Sequence, residues 1–344
     1  MKSKHMSSNH TQITIAMLAT AVVLIGALLV AGCTGTGGSA TPTPTAAPIT
    51  TIPTTAVPTT ADATQVTTAG TTVPATVTAT TTTTGSSYIP GSSSGKISVT
   101  GSTTVLPIAQ KLAERFMELN KNADVQISGG GSGVGVQSAG EKTAEIGMSS
   151  RELKDAEKTK YAALKAVPMA RDGIVMIAHP SNDISSLSFD QIRNIYTGKA
   201  ANWRDVGGRA QPIVVIGRDS ASGTREFFTE KIMGKNATTA SMLEKNSNGA
   251  VKSSISPNPG AIGYVGLGYI DSTVKAINLS TNGTEVQPTT ENVIKGTYPL
   301  SRNLYFVTNG DATGLAKDFI DFTLSTEGQQ IVEEEGFVSI TRTA

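Results

Sequence analysis

The stretch Val214–Phe228, VVIGRDSASGTREFF, gathers the residue types best suited to chemistry. An apolar β-branched run (Val214, Val215, Ile216) ends at Gly217. Arg218 follows, then a turn of small and hydroxyl residues, Ser220 to Thr224, and a segment that reads as helix from Arg225 on. A strand that feeds such a turn into a helix start leaves backbone N–H groups and hydroxyls pointing outward. With a guanidinium beside them, they form a site for a tetrahedral oxyanion. The same residues would also serve as an ordinary helix N-cap with a surface charge, so the stretch gains meaning from others like it.

Three others precede it. Lys96–Thr100 alternates as a short strand and runs into Gly101-Ser102-Thr103-Thr104. After it Val105, Ile108, Ala109, Leu112, Phe116 and Leu119 recur at helical spacing, with Thr103 or Thr104 the candidate N-cap. Val125–Ser128 is the next strand, followed by GGGSGVG (129–135) and a short helix to Gly140. So many glycines mark a turn where something approaches the backbone closely. A dinucleotide fingerprint is excluded, because Val134 and Val136 stand where glycine would be needed, and no Gly-Lys pair precedes Ser or Thr as in a phosphate-cradling P-loop. Glu145–Met148 is a third strand, ending in Ser149-Ser150-Arg151-Glu152 before a charged helix; a capped helix start would explain that segment by itself.

The elements around these turns alternate. Ala166–Pro180 reads as two strands with a bend at Arg171-Asp172-Gly173. Leu187, Ile192 and Ile195 mark a short helix that ends at Thr197-Gly198, and another helix covers Ala250–Ile255. Strand patterns return at Ile262–Val265, Val274–Ile277 and Leu304–Thr308, before helices over Gly314–Leu324 and Glu327–Glu334. Such alternation predicts an α/β fold with a parallel-biased sheet and helices on both faces, where ligands sit at the carboxyl ends of strands. Chain crossings between two lobes are expected near Asp172–Ile177 and Gly263–Val265.

Not all of the 344 residues read as globular. Lys2 and Lys4 precede an uncharged apolar run, Ile13–Gly32, that stops at Val30-Ala31-Gly32-Cys33. A basic start, an apolar core and small residues before a cysteine make a lipoprotein-type export signal, with Cys33, the one cysteine, as the lipidation site. An uncut transmembrane helix is the alternative, since the run is long enough to span a bilayer. Residues 34–95 are dominated by Thr, Ala, Pro, Ser, Gly and Val, with Asp62 the only charge, and read as an extended stalk or linker. Without Lys2 and Lys4 the 28 basic residues become 26 against 27 acidic ones, a balance that argues against a nucleic-acid partner.

With these residues in view, the chain from Lys96 onward resembles the PstS-type phosphate-binding proteins, solute receptors of ABC phosphate importers. The motifs are GSTT (101–104), GGGSGVGVQSAG (129–140), IGMSSRELK (146–154), ARDGIVMI (170–177), IYTGKAANWRDVGG (195–208), RDSASGT (218–224) and PGAIGYVGLGY (259–269). The resemblance implies a two-lobed, type II periplasmic-binding-protein-like clamp. Lobe 1 would comprise residues 96–175 and 265–344 and lobe 2 residues 176–264, behind the signal (1–33) and the linker (34–95). It further implies a phosphate site from Ser102, Thr103, Thr104, Ser132, Ser150, Arg151, Arg218, Ser222, Gly223 and Thr224, with no metal and no cofactor. The partners implied are inorganic phosphate, the permease of an ABC transporter and, through the N-terminal anchor, the outer face of the cytoplasmic membrane. One departure stands out: better-known members place an Asp where Ser150 aligns, to accept the proton of monohydrogen phosphate. Sulfate, molybdate and arsenate therefore remain alternative ligands.

Other classes fit less well. Of three histidines, His5 and His10 lie in the signal, leaving His179; no G-x-S-x-G elbow and no metal-ligand spacing is present, which argues against a secreted phosphatase or other enzyme. A surface adhesion protein would account for the Thr-rich stalk but has no need of four hydroxyl turns. Asn236, Asn278 and Asn282 lie in N-x-[ST] sequons.

Overall fold

The computed structural model describes residues 93–342. The signal, Cys33 and the linker, apart from residues 93–95, lie outside the described residues.

Two hydrophobic cores organise the described chain. In the first, β1 (Gly95–Gly101) lies parallel between β2 (Ala123–Gly129) and β3 (Ile146–Ser149). Against this sheet pack α1 (Leu106–Leu119) and α8 (Gly314–Leu324), with α9 (Thr326–Glu334) packed on both helices. Helix α1 buries Ile108, Ala109, Leu112, Ala113 and Phe116, one stripe at helical spacing, and Phe116 meets the Phe319 ring edge-on at 5.4 Å. On the other face α2 (Ser132–Gly140) lies so close that a Cβ on Gly135 would come within 2.5 Å of the Met148 carbonyl oxygen and 2.8 Å of that of Thr100. Only glycine permits that approach, and it seats Ser132 at the sheet's carboxyl edge.

The second core is built on β6 (Val214–Arg218), parallel to β7 (Leu243–Lys245) and β8 (Ala261–Gly266). It buries Tyr196, Trp203, Ile216, Phe228, Ile262 and Tyr264, with the Phe228 and Tyr264 rings stacked at 4.2 Å. The helices α4 (Phe189–Tyr196), α5 (Gly223–Phe228) and α6 (Asn248–Ile255) cover it. Helix α4 starts on a capping box: Ser188 accepts from the Gln191 amide, while the Gln191 side chain accepts from Ser188 N.

Two long strands, β4 (Leu164–Ala178) and β11 (Ser301–Asn309), join the halves, giving the order β2-β1-β3-β11-β4-β8-β6-β7. The expected bend at Arg171-Asp172-Gly173 does not divide two strands; β4 runs unbroken over Leu164–Ala178. Its first part pairs antiparallel with β11 (Ser301–Asn309) and its second part with β8 and β9 (Lys275–Thr281). The parallel bias thus holds only within each half, because a strand that crosses and a strand that returns run antiparallel where they meet. The return is also later than expected. Strand β8 is wholly inside the second core, as are Ile277, Leu279, Val293, Tyr298 and Leu300; the chain re-enters the first core at Leu304 on β11. A boundary at residue 265 is therefore displaced to about residue 301, the sequence having no local signal for which core a short alternating strand joins.

Gly135→Ala tests the close packing of α2. The added methyl has backbone on both sides and cannot be accommodated by a rotamer change, so the substitution should cost about 1–3 kcal/mol, read as a lowered urea midpoint at unchanged slope. An unchanged midpoint would show that α2 is not pinned here.

Candidate functional site

All four hydroxyl turns lie at carboxyl ends of strands and converge where the two cores meet. Ser102, Thr103 and Thr104 follow β1, Ser132 follows β2, Ser150 follows β3, Arg218 ends β6, and Ser222, Gly223 and Thr224 follow it; all are buried. The turns interlock across the divide. The Gly133 amide donates to the Ala221 carbonyl at 3.0 Å, and a Cβ on Gly223 would fall 2.3 Å from Ser132 Oγ and 2.9 Å from Ser150 Oγ. Glycine is what lets the α5 start sit against that hydroxyl pair.

Proton bookkeeping in the cluster gives its chemistry. Thr103 Oγ1 accepts from Arg218 Nη2 at 3.2 Å and from Asn248 Nδ2 at 3.1 Å. Both lone pairs are then taken, and the hydroxyl can only donate. Thr104 Oγ1 accepts from Asn248 Nδ2 at 3.0 Å and lies 3.0 Å from Thr224 Oγ1; one Arg302 Nη2 hydrogen goes to Asp172, and the other is shared between Thr224 at 3.0 Å and Thr104 at 3.3 Å. Asn248 is held in turn by the Gly266 amide, which donates to its Oδ1 at 3.2 Å. Ser132 Oγ accepts from the Ser150 amide at 3.0 Å and lies 3.1 Å from Ser150 Oγ.

Arg218 is the main charge. It is 1 % exposed, and its Nε and Nη2 donate to the carbonyls of Lys245 (3.1 Å) and Asn246 (3.2 Å). Its Nη1 is buried without a partner, and no carboxylate lies within ion-pair distance of the group, among the described residues. Burial pulls its pKa down, and the nearby negative charge of Asp219 opposes that. A buried cation with no anion in contact is costly, so the arrangement calls for an anion from outside. Tyr264, whose phenol accepts from the Arg218 amide at 3.3 Å, is pushed by burial up to about 12 and so stays neutral.

A family model described as "PBP superfamily domain" matches residues 54–327. The chain is 35% identical over 236 residues to the phosphate-binding protein PstS of Bacillus subtilis, covering 68% of this chain and 77% of that one. To the PstS of Borreliella burgdorferi it is 35% identical over 248 residues, covering 69% and 88%. The chain belongs to the PstS family. Among solved structures, a substrate-binding protein assigned to a phosphate ABC transporter of Clostridium perfringens, solved with bound phosphate, aligns with TM-score 0.67 and 38% identity over 72% of this chain and 100% of that one. An ABC-type phosphate transport receptor from Vibrio cholerae aligns with TM-score 0.59 and 31% identity over 70% and 99%. The fold is accordingly the two-lobed clamp of this family, and the two cores are its lobes.

Within that PstS fold, several expected residues have other duties. Arg151 does not turn its guanidinium into the hydroxyl cluster. Its Nη1 and Nη2 bond Glu157 at 2.8 and 2.7 Å, and its Nε lies 2.5 Å from Glu226 of α5. Lys154 reaches the same Glu226 at 2.9 Å, so the lobes are tied by two ion pairs at the cleft rim. Ser222 Oγ caps α5 by accepting from the Arg225 amide, and Ser102 Oγ accepts from the Thr104 amide, closing its own turn. Neither Thr103 nor Thr104 caps α1, whose N-cap is Val105, because both hydroxyls face the cluster instead. His179 Nδ1 accepts from the Ser181 amide at 3.0 Å, a local turn contact. Asn248 and Arg302 were not foreseen: neither follows a glycine-rich turn, and nothing local in sequence marks them.

Burial works against charge on Glu157, but Arg151 and the Lys154 amide more than offset it, and its pKa lies below the ordinary glutamate value. A depressed carboxyl pKa contributes stability that is present above the unfolded value and lost as pH falls through the folded one. The thermal midpoint of the wild type should therefore exceed that of Glu157→Gln at about pH 7, and the gap should close by about pH 3. A gap that is independent of pH would contradict the ion pair.

Proposed function

We propose that the hydroxyl cluster captures inorganic phosphate between the two lobes and that the chain delivers it, as the extracytoplasmic receptor, to the permease of an ABC importer. The observation that carries this reading is the buried Arg218, with a partnerless Nη1 and, among the described residues, no carboxylate in contact, beside Thr103, whose lone pairs are already filled. Such a group of donors suits a small, multiply charged acceptor. The names of the relatives agree with it. Thr103, Thr104, Ser132, Ser150, Arg218, Gly223 and Thr224 are the residues we assign to the anion; Ser102 and Ser222 hold their turns, and Arg151 ties the lobes.

The reading is of binding without turnover. Both oxygens of Asp172 are occupied, Oδ2 by Arg302 and Oδ1 by the Leu267 amide, so this carboxylate is not free to act as a base. Sulfate is the second reading, because Ser150 offers a hydroxyl where a carboxylate would repel a fully deprotonated dianion. We further propose that Cys33 carries the lipid anchor that keeps the receptor on the outer membrane face. Cys33→Ser should release the protein into the soluble fraction; continued membrane association with an uncut N-terminus would favour a transmembrane helix instead.

Arg218→Lys should weaken phosphate binding tenfold or more, about 1.4 kcal/mol, since a lysine cannot bond two carbonyls and a hydroxyl and still present a free N–H. Calorimetry with phosphate and sulfate measures this, and an unchanged dissociation constant would refute the assignment.

A further inference from the structure

Arg302 lies on β11, one of the two strands that join the lobes, and its side chain is 2 % exposed. Its Nε and Nη2 donate to Asp172 Oδ2 at 2.9 and 2.7 Å, and Asp172 is completely buried on the neighbouring crossing strand. Nη2 also bonds Thr104 of one lobe and Thr224 of the other. Nη1 is buried and, among the described residues, has no partner. The guanidinium carbon stands 6.0 Å from the Phe227 ring centroid, and Arg302 and Phe227 both line the interlobe cleft of about 780 Å³. The group therefore stands where the open cleft meets the buried hydroxyls.

A structural ion pair would account for Nε and Nη2. It does not account for Nη1, because leaving a buried guanidinium N–H without an acceptor costs free energy comparable to a lost hydrogen bond. Arg218 presents the same defect in the same cluster, and the two positive charges are close enough for Arg302 to lower the pKa of Arg218. Burial dominates and raises the Asp172 carboxyl above its ordinary value, against the pull of Arg302 and two backbone amides. Because both its oxygens accept and it faces a guanidinium that cannot lose its proton, we take it as ionised. Two buried guanidiniums then share one contacting carboxylate, and the charge of Asp219 acts on Arg218 without contact.

We propose that Arg302 is a second guanidinium of the anion site, donating from Nη1 directly to the bound oxyanion while Asp172 holds it in place. This rests on the phosphate-binding reading above and adds to it a ligand contributed by a crossing strand. It also places a second positive charge beside the bound anion. Ser150 supplies no negative charge, and the one carboxylate in contact with either guanidinium is spent on orienting Arg302.

The test is calorimetry of the full chain with inorganic phosphate, alongside its thermal unfolding with and without phosphate. In the double variant Arg302→Met, Asp172→Asn the buried pair is removed as a unit, so no lone charge remains to unfold the protein. The expected result is cooperative unfolding without ligand, at least a tenfold rise in phosphate dissociation constant, and a smaller phosphate-induced shift in midpoint. Arg302→Lys keeps the charge beside Asp172 but lacks the planar fork. It should bind phosphate more weakly while its ligand-free midpoint stays near that of the wild type, and it decides the matter should the double variant fail to fold. Wild-type affinity in either variant would overturn the assignment and leave the Arg218 site standing. If the wild-type chain bound neither phosphate nor sulfate, both would fall.

Discussion

The structure depends on a buried guanidinium that is not neutralised from within. Arg218 is anchored by two backbone carbonyls and a threonine hydroxyl, which fix its position but supply no negative charge. An ordinary core would not keep such a group, since burying it without an anion costs several kcal/mol. The fold tolerates it because the two lobes bury their own large apolar cores independently of the site. Ile108, Phe116, Phe306 and Phe319 hold one lobe together, and Tyr196, Trp203, Phe228 and Tyr264 the other. Stability is kept in the lobes, while the seam between them carries the unmatched charge.

The seam is held at two levels. Deep in it, β4 and β11 pass between the lobes and meet through Asp172 and Arg302. At the rim, Glu226 of one lobe faces Arg151 and Lys154 of the other. Thr224 lies against Thr104 and the Gly133 amide donates to the Ala221 carbonyl, so both lobes contribute to the hydroxyl cluster. Under the proposed function, an anion bound among these groups would contact both lobes at once and favour their closed arrangement.

Much of this was legible in the sequence because it is local. Each of the four turns is a β-branched strand followed by small or hydroxyl residues and a helix, and each lies within about ten residues. What escaped the sequence was set by pairing at long range. Arg302 reads as one charge in an otherwise alternating strand, SRNLYFVTN, and its partner Asp172 comes 130 positions earlier; only the register of β11 against β4 places them opposite each other. Asn248 opens a helix and looks like a surface residue until Gly266 and two threonines are seen to use its amide. The late return of the chain at residue 301 was hidden for the same reason, since short alternating strands carry no mark of the core they will join.

Arg151 and Arg218 show why a motif has to be read with its neighbours. Arg151 lies just past a strand end and Arg218 closes one, each with a serine close by, yet one makes ion pairs and the other, among the described residues, has no carboxylate in contact. Arg151 is six residues before Glu157, whose carboxylate comes back at the start of α3 (Asp155–Lys160) to bond both the Lys154 amide and the guanidinium. Around Arg218 the equivalent space holds the backbone carbonyls at the end of β7, which satisfy N–H groups without cancelling charge. The carboxylates around Arg151 take up its guanidinium, whereas the carbonyls around Arg218 leave Nη1 without a partner, the feature on which the proposed anion contact rests. By that criterion Ser150 belongs with the receptor side of the seam. Paired with Ser132, it can turn its hydroxyl to donate to any oxyanion or to accept from a protonated one, so discrimination between phosphate and sulfate rests on which of these the rest of the donor array leaves open.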